Sequence, residues 1–305
     1  MIDFAKKPLF LAPLAGFSDL PLREVVKNFG CDVTISEMIS ANALVYEGKK
    51  SLKMVQKSPN ETPYIVQIAG VDLNNIKKAV EILNGIDGID GIDLNCGCPV
   101  PKVVKQESGS ALLKNLDHLK RVIETIKTTS KKPTTSAKIR LGFDEKIPEL
   151  IARACQDAGA DYIAIHGRTR AGGYTAKVDY EAIKIAKEAV KIPVIANGDI
   201  NAQNADFVLK TTNADALMIG RASIGNPWIF AQIKDAKSVS GALKKQIILA
   251  HFDAMIRYYG IQGVSIFRKH LHQYSKGLSE AASFRDEINR IDDLDLMRLK
   301  IENFF

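Results

Sequence analysis

Between residue 8 and about residue 230 the chain alternates short apolar runs with amphipathic stretches, and the turn into several of the runs repeats itself. The turn reads Asn28-Phe29-Gly30-Cys31-Asp32, then Ala158-Gly159-Ala160-Asp161-Tyr162, then Thr212-Asn213-Ala214-Asp215-Ala216. A recurring helix, turn and strand is the mark of a β/α repeat, and it restricts the fold to parallel sheets with helical crossovers. The runs that read as strands are Leu9 to Pro13, Val33 to Glu37, Tyr64 to Ile68, Gly91 to Asn95, Thr135 to Arg140, Tyr162 to His166, Pro193 to Asn197 and Ala216 to Ile219. Between them, Asn75 to Leu83, Leu116 to Ile126, Pro148 to Ala158, Tyr180 to Val190 and Ala202 to Leu209 carry apolar residues at three- and four-residue spacing. Gly30, Gly85 and Gly159 fall where helix C-caps belong. Eight such units in about 225 residues fit a (β/α)8 TIM barrel, typically ~250 residues, better than a doubly wound sheet. The G-x-G-x-x-G fingerprint of the latter does not follow the first strand.

From about residue 236 the strand pattern stops. Ser240 to Tyr259, Val264 to Ser275 and Phe284 to Glu302 read as helices, which predicts a barrel over 1–235 and a smaller all-helical domain over 236–305. The helical part mixes Arg257, Arg268, Lys269 and Lys276 with Phe252, Tyr258, Tyr259, Phe267 and Tyr274. That interleaving suits RNA, although aromatic residues at helical spacing also serve as plain core. The net charge of +7 and isoelectric point near 9.1 agree with a polyanionic partner, and the paired lysines at 49–50, 77–78, 131–132 and 244–245 are scattered enough to belong in part to a solvated surface. No apolar run approaches the roughly 20 residues that cross a bilayer, and Met1 to Pro8 lack the h-region of a signal peptide. A cytoplasmic location and a monomer are expected. Four cysteines (Cys31, Cys96, Cys98, Cys155) are too few for a disulfide framework, and no second Cys or His cluster joins Cys96 and Cys98, so no metal site is expected.

In a TIM barrel, function collects in the loops after the strands. Cys98 lies in Asp93-Leu94-Asn95-Cys96-Gly97-Cys98-Pro99-Val100-Pro101-Lys102, just past a strand end, which makes it a candidate catalytic acid; a small buried hydrophobe is the alternative. Other strand ends carry polar residues that packing alone would not place there. Pro13-Leu14-Ala15-Gly16 leaves room for a flat ligand against backbone, Gln67 interrupts an apolar run, and Lys138 stands inside a strand. His166-Gly167-Arg168-Thr169, Asn197-Gly198-Asp199 and Gly220-Arg221 follow the last three strands, and the last two of these segments suit a phosphate.

Taken together, Ala12 to Asp19, Asp93 to Pro99, Lys138-Ile139-Arg140, Ile165 to Thr169, Ala196 to Asp199 and Met218 to Ala222 resemble the tRNA-dihydrouridine synthases, flavin enzymes with an FMN-bearing barrel and a C-terminal helical domain. Ser108 to Leu113 and Arg268-Lys269-His270 look most like the bacterial B-type branch, with Leu14 where methionine is common and Cys96 at a variable position. The resemblance implies FMN contacts by Pro13, Leu14, Ala15, Gln67, Lys138 and His166, and phosphate binding by Asn197, Gly198, Asp199, Gly220 and Arg221. It implies that Lys138 stabilises the reduced flavin formed by NADPH. It also implies reduction of the C5=C6 bond of a tRNA uridine, with hydride added at C6 and a proton delivered to C5 by Cys98. A thiol, with an ordinary pKa of about 8.5, stays protonated at neutral pH. Lys102, Lys105, Arg168, Arg268 and Lys269 are the candidate RNA contacts. A small-molecule FMN oxidoreductase acting on free pyrimidines, or a non-catalytic tRNA-binding module, are the alternative readings.

Overall fold

Eight parallel strands close the predicted barrel: β1 (Leu9–Leu11), β2 (Thr34–Ile35), β3 (Tyr64–Ala69), β4 (Gly91–Cys96), β5 (Thr134–Arg140), β6 (Tyr162–His166), β7 (Val194–Asn197) and β8 (Ala216–Ile219). They are seen in a computed structural model that describes residues 2–46 and 48–305. Strands β2 to β8 pair in sequence order and β8 returns to β1. The ring closes at β1 and β2 through the bridge between Phe10 and Val33, with the Leu11 N–H donating to the Val33 carbonyl at 3.0 Å. A further two-residue strand, Ile39–Ser40, adds to the end of β3, where apolar periodicity gives no sign of it.

The repeated aspartate ahead of a strand has a structural cause. Asp32, Asp90, Asp161 and Asp215 each accept a hydrogen bond from an N–H at the start of the preceding strand, at Leu9, Tyr64, Thr135 and Val194, over 2.7–2.8 Å. Each also donates its own N–H to the carbonyl of that same residue at 2.7–2.9 Å. The two bonds clasp β1 to β2, β3 to β4, β5 to β6 and β7 to β8 at the N-terminal end of the barrel, where strand-edge groups would otherwise lack partners. Asp90→Ala removes one half of a clasp and leaves the Tyr64 N–H without its acceptor. It is expected to lower stability by about 1–3 kcal/mol, read as a lower urea midpoint at an unchanged slope.

The barrel interior is packed at this same end. Phe10, Ile35, Ile65, Tyr162, Ala164, Ile195 and Met218 form an inner cluster, plugged from below by Phe4, whose ring stands 5.6 Å from that of Tyr162. Apolar filling therefore stops midway, and the polar residues of β3, β4 and β5 occupy the open end.

After residue 236 come the helices Gly241–Tyr259, Gln262–Tyr274, Ala281–Ile288 and Leu294–Phe304. The stretch from Phe284 to Glu302 is thus two helices and not one. Asn289 to Asp293 form the break, where Asp293 caps the last helix by accepting from the Leu296 N–H at 2.8 Å. The helices pack around Phe252, Met255, Phe267, Leu271 and Ile288, and that core takes in Val25 and Trp228 from the barrel side. Helical and barrel parts thus meet through an apolar seam. No helix among the described residues is long and apolar enough to cross a membrane.

Candidate active site at the open end of the barrel

In-register pairing sets Gln67 beside Asp93, Asp93 beside Ser136 and Asn95 beside Lys138, and these side chains meet inside the barrel. Ser136 Oγ and Gln67 Nε2 both donate to the Asp93 carboxylate, at 2.6 and 2.7 Å. Burial raises Asp93 to about 6, against the pull of those two donors and of Lys138, so it is ionised at neutral pH and accepts only. That fixes every group after it. Gln67 must present its NH2 to Asp93 and so turns its carbonyl to Asn95, whose Nδ2 donates to it at 2.8 Å. The Asn95 carbonyl is then left facing the loop, where it accepts from the N–H groups of Gly97 (3.2 Å) and Cys98 (3.0 Å).

A buried carboxylate thus orients, through two amides, the backbone that carries the Cys98 thiol. The Cys98 carbonyl is held from the other side by Ser110, through its N–H (3.1 Å) and its hydroxyl (2.9 Å). Gly109, at φ +62°, allows this approach, since a Cβ there would stand 2.9 Å from the Cys98 carbonyl oxygen. Arg140 Nε donates to the Gly97 carbonyl at 2.7 Å. Cys98 itself is half-buried, whereas Cys31, Cys96 and Cys155 are buried.

Across the mouth lies a cluster of cations. Lys138 Nζ donates to Asn197 Oδ1 at 3.0 Å, and Asn197 Nδ2 donates in turn to the Met218 carbonyl at 2.8 Å. Arg168 and Arg221 both grip Asp199, which sits at φ +46°. Tyr174, 55% exposed, has the Arg140 guanidinium 5.2 Å and the Arg221 guanidinium 5.5 Å from its ring centre. The crowding shows in the titrating groups. Burial, then the charge of Arg140, lowers Lys138 to about 8. Burial, then Lys138, Arg140, Arg168 and Arg221, lowers His166 to about 2, leaving it a neutral imidazole.

A sequence profile described as dihydrouridine synthase (Dus) matches residues 10–303. The chain belongs to the dihydrouridine synthase family. A probable tRNA-dihydrouridine synthase of Helicobacter pylori is 50% identical over 308 residues, covering 100% of this chain and 94% of that protein. The tRNA-dihydrouridine synthase B of Pasteurella multocida is 38% identical, with 98% and 93% covered. Among solved structures, morphinone reductase in complex with tetrahydroNAD aligns with a TM-score of 0.55 at 12% identity, over 76% of this chain and 87% of that one. At such identity only the barrel is shared.

In this dihydrouridine synthase the open end gathers Cys98, Gln67, Lys138, His166, Asn197, Gly198, Asp199 and Arg221, and the loop bearing Pro13, Leu14 and Ala15 adjoins Gly220, whose missing Cβ would stand 3.9 Å from Leu14 Cδ2. Lys102 and Lys105 are exposed beside the Cys98 loop, and Lys269 Nζ lies 5.5 Å from the ring centre of Phe17 in the first loop. Three of the candidate residues have partners of their own. Arg168 is 4% exposed, with its guanidinium engaged by Asp199 and the Ala176 carbonyl, so it belongs to the cation cluster and is not free to meet RNA. The Asp199 side chain neutralises arginines, and a carboxylate there repels a phosphate; what Asp199 offers an anion is backbone. Arg268 staples its helix to Ile291 and Asp292 at 2.8 and 2.5 Å. Asn95, Arg140 and Tyr174 were not singled out. Asn95 and Arg140 lie within the motifs that carry Cys98 and Lys138; Arg140 shares a strand face with Lys138 and Asn95 pairs in register with it, which is the signal for them. Tyr174 carries no such signal.

His166 also sets a pH dependence. Its folded pKa is depressed below the ordinary 6.5, so the unfolded chain takes up a proton as pH falls through 6.5 while the folded chain does not, and stability is lost there. His166→Asn is expected to remove up to about 1.4 kcal/mol per pH unit from the wild-type slope between pH 6.5 and 5. Urea midpoints at the two pH values measure it, and equal slopes would refute a buried neutral His166.

Proposed function

We propose that this dihydrouridine synthase reduces the C5=C6 bond of uridines in tRNA, with FMN held at the barrel mouth, NADPH as reductant and Cys98 as the acid. It would act as a cytoplasmic monomer, with residues 236–305 as the tRNA-binding domain. The observation that carries the reading is the facing arrangement of a positioned thiol and a cation cluster at one barrel end.

The donor set fits FMN. Lys138, Arg140, Arg168 and Arg221 all act on His166, and even against Asp93 and Asp199 two positive charges are left over. That surplus suits a phosphate ester and an electron-rich ring edge. Gln67 and Lys138 would meet the polar edge of the flavin. Arg221 and the backbone at Asn197, Gly198, Asp199 and Gly220 would hold the phosphate, and Gly198 at φ +130° lets that backbone pack against Val178, which a Cβ would meet at 2.9 Å. Bound FMN supplies the reducing equivalent that adds at C6 of the uracil ring.

The protein's own part is to deliver the proton. Addition at C6 leaves negative charge delocalised over C5 and the C4 carbonyl, and the Cys98 thiol gives its proton to C5. The Asp93, Gln67 and Asn95 chain fixes the loop from which the thiol acts, so no reorganisation is needed at the moment of transfer. Neutral His166 is a hydrogen-bonding wall and not a second acid. The base must leave its stack to reach the mouth, so the tRNA backbone needs a cationic rim. Lys102, Lys105 and Lys269 supply one, with the cations of the C-terminal helices beyond. The test is consumption of NADPH by the purified protein with unmodified tRNA. Turnover that produces dihydrouridine in tRNA and none with free uridine is expected, and equal activity on the free nucleoside would favour a small-molecule reductase.

A further inference from the structure

We propose that Asp19, His251 and His270 form a site for a divalent transition-metal ion, Zn2+ by its chemistry, that ties the C-terminal helices to the first loop of the barrel. Asp19 caps the helix Leu20–Lys27 that follows this loop, His251 lies in Gly241–Tyr259 and His270 in Gln262–Tyr274. One donor atom from each lies within 4.8 Å of the other two, and the residues are 3%, 0% and 0% exposed. Neither ring nitrogen of His270 has a hydrogen-bond partner, and His251 Nε2 has none. An ion there would engage His251 Nε2 and one nitrogen of His270, buried atoms that otherwise have no partner beside the Asp19 carboxylate.

The outer partners are those of a ligand set. His251 Nδ1 is 3.0 Å from the Tyr274 hydroxyl, which leaves Nε2 turned to the cluster, and Asp19 is held by the Leu22 N–H (3.2 Å) and the Tyr259 hydroxyl (3.1 Å). Two imidazoles and a carboxylate match the donor types of zinc, whose tetrahedral donors stand about 3.3 Å apart, so the three side chains would draw together on binding. Phe17, edge-on to His270 at 5.4 Å, and Phe267 wall the site. Sequence spacing hides such a set, because its members come from residues 19, 251 and 270.

The test uses the full-length protein, stripped with chelator and titrated with ZnCl2 or CoCl2. About one ion per chain is expected, with the visible bands of tetrahedral Co2+ and a melting temperature raised by zinc and lowered again by chelator. His251→Asn and His270→Asn should each abolish these, with flavin content as the check on folding. Should both variants fail to fold, His270→Cys keeps a ligand and is expected to add a thiolate-to-cobalt charge-transfer band. Metal content at background, as for a water in place of the ion, would overturn the proposal. So would binding unchanged in the variants, or a His270→Cys protein with no new band.

Discussion

Replacing Cys98 by alanine is expected to slow dihydrouridine formation by about 10²–10⁴-fold, the range that one positioned general acid contributes, while flavin binding, NADPH oxidation and tRNA binding persist. The separation follows from where the residue sits. Its loop is held through backbone, by Asn95 on one side and Ser110 on the other, and alanine keeps every one of those bonds. Only the proton is removed. Cys96, two residues earlier and buried, is no substitute, because burial pushes its thiol well above the ordinary range and the side chain lies in the outer core. Cys96→Ala should therefore leave turnover in place. Full activity in Cys98→Ala, measured by dihydrouridine content after a single incubation, would remove the thiol from the chemistry.

Lys138→Met has the second large effect and a different signature. The ammonium group lies in a crowded set of cations and still keeps a folded pKa of about 8, so it is mostly charged at neutral pH. Removing a charged hydrogen-bond donor costs about 1.5–3 kcal/mol, hence roughly 10- to 100-fold in the rate at which NADPH bleaches the flavin. In Cys98→Ala that rate is unchanged. Methionine keeps most of the bulk, and Asn197 loses its lysine donor but retains its own bond to Met218. Stopped-flow bleaching at a fixed NADPH concentration separates the two variants, and an unaltered rate in Lys138→Met would place the lysine outside the flavin's influence.

The barrel was legible because its strands are buried on both faces and read as apolar runs, and because the turns between them repeat. What the repeat is for was not legible. Asp161 and its counterparts show in the sequence as a recurring letter, and the partner that explains each one, such as the Thr135 N–H, sits about 26 positions away across the sheet. The same limit accounts for the site. Gln67, Lys138 and Asn197 stood out as polar residues at strand ends, but the order in which Asp93, Gln67 and Asn95 hand a hydrogen-bond direction to the Cys98 loop depends on register between strands. Arg168 shows the same limit, since a basic residue in a loop reads as solvated and only the fold reveals its pairing with Asp199. The break at Asn289 to Asp293 does not show in the sequence because the apolar spacing of Phe284, Ile288, Ile291, Leu294, Met297 and Ile301 continues across it.

The claim that this barrel mouth makes dihydrouridine in tRNA is tested most directly by mass-spectrometric mapping of tRNA from cells with the gene, without it, and complemented with the Cys98→Ala form. The account predicts that specific uridines carrying two added hydrogens revert to uridine on deletion, return with the wild-type gene and stay unreduced with Cys98→Ala. Dihydrouridine unchanged by deletion at every position, in a strain with no second family member, would contradict it.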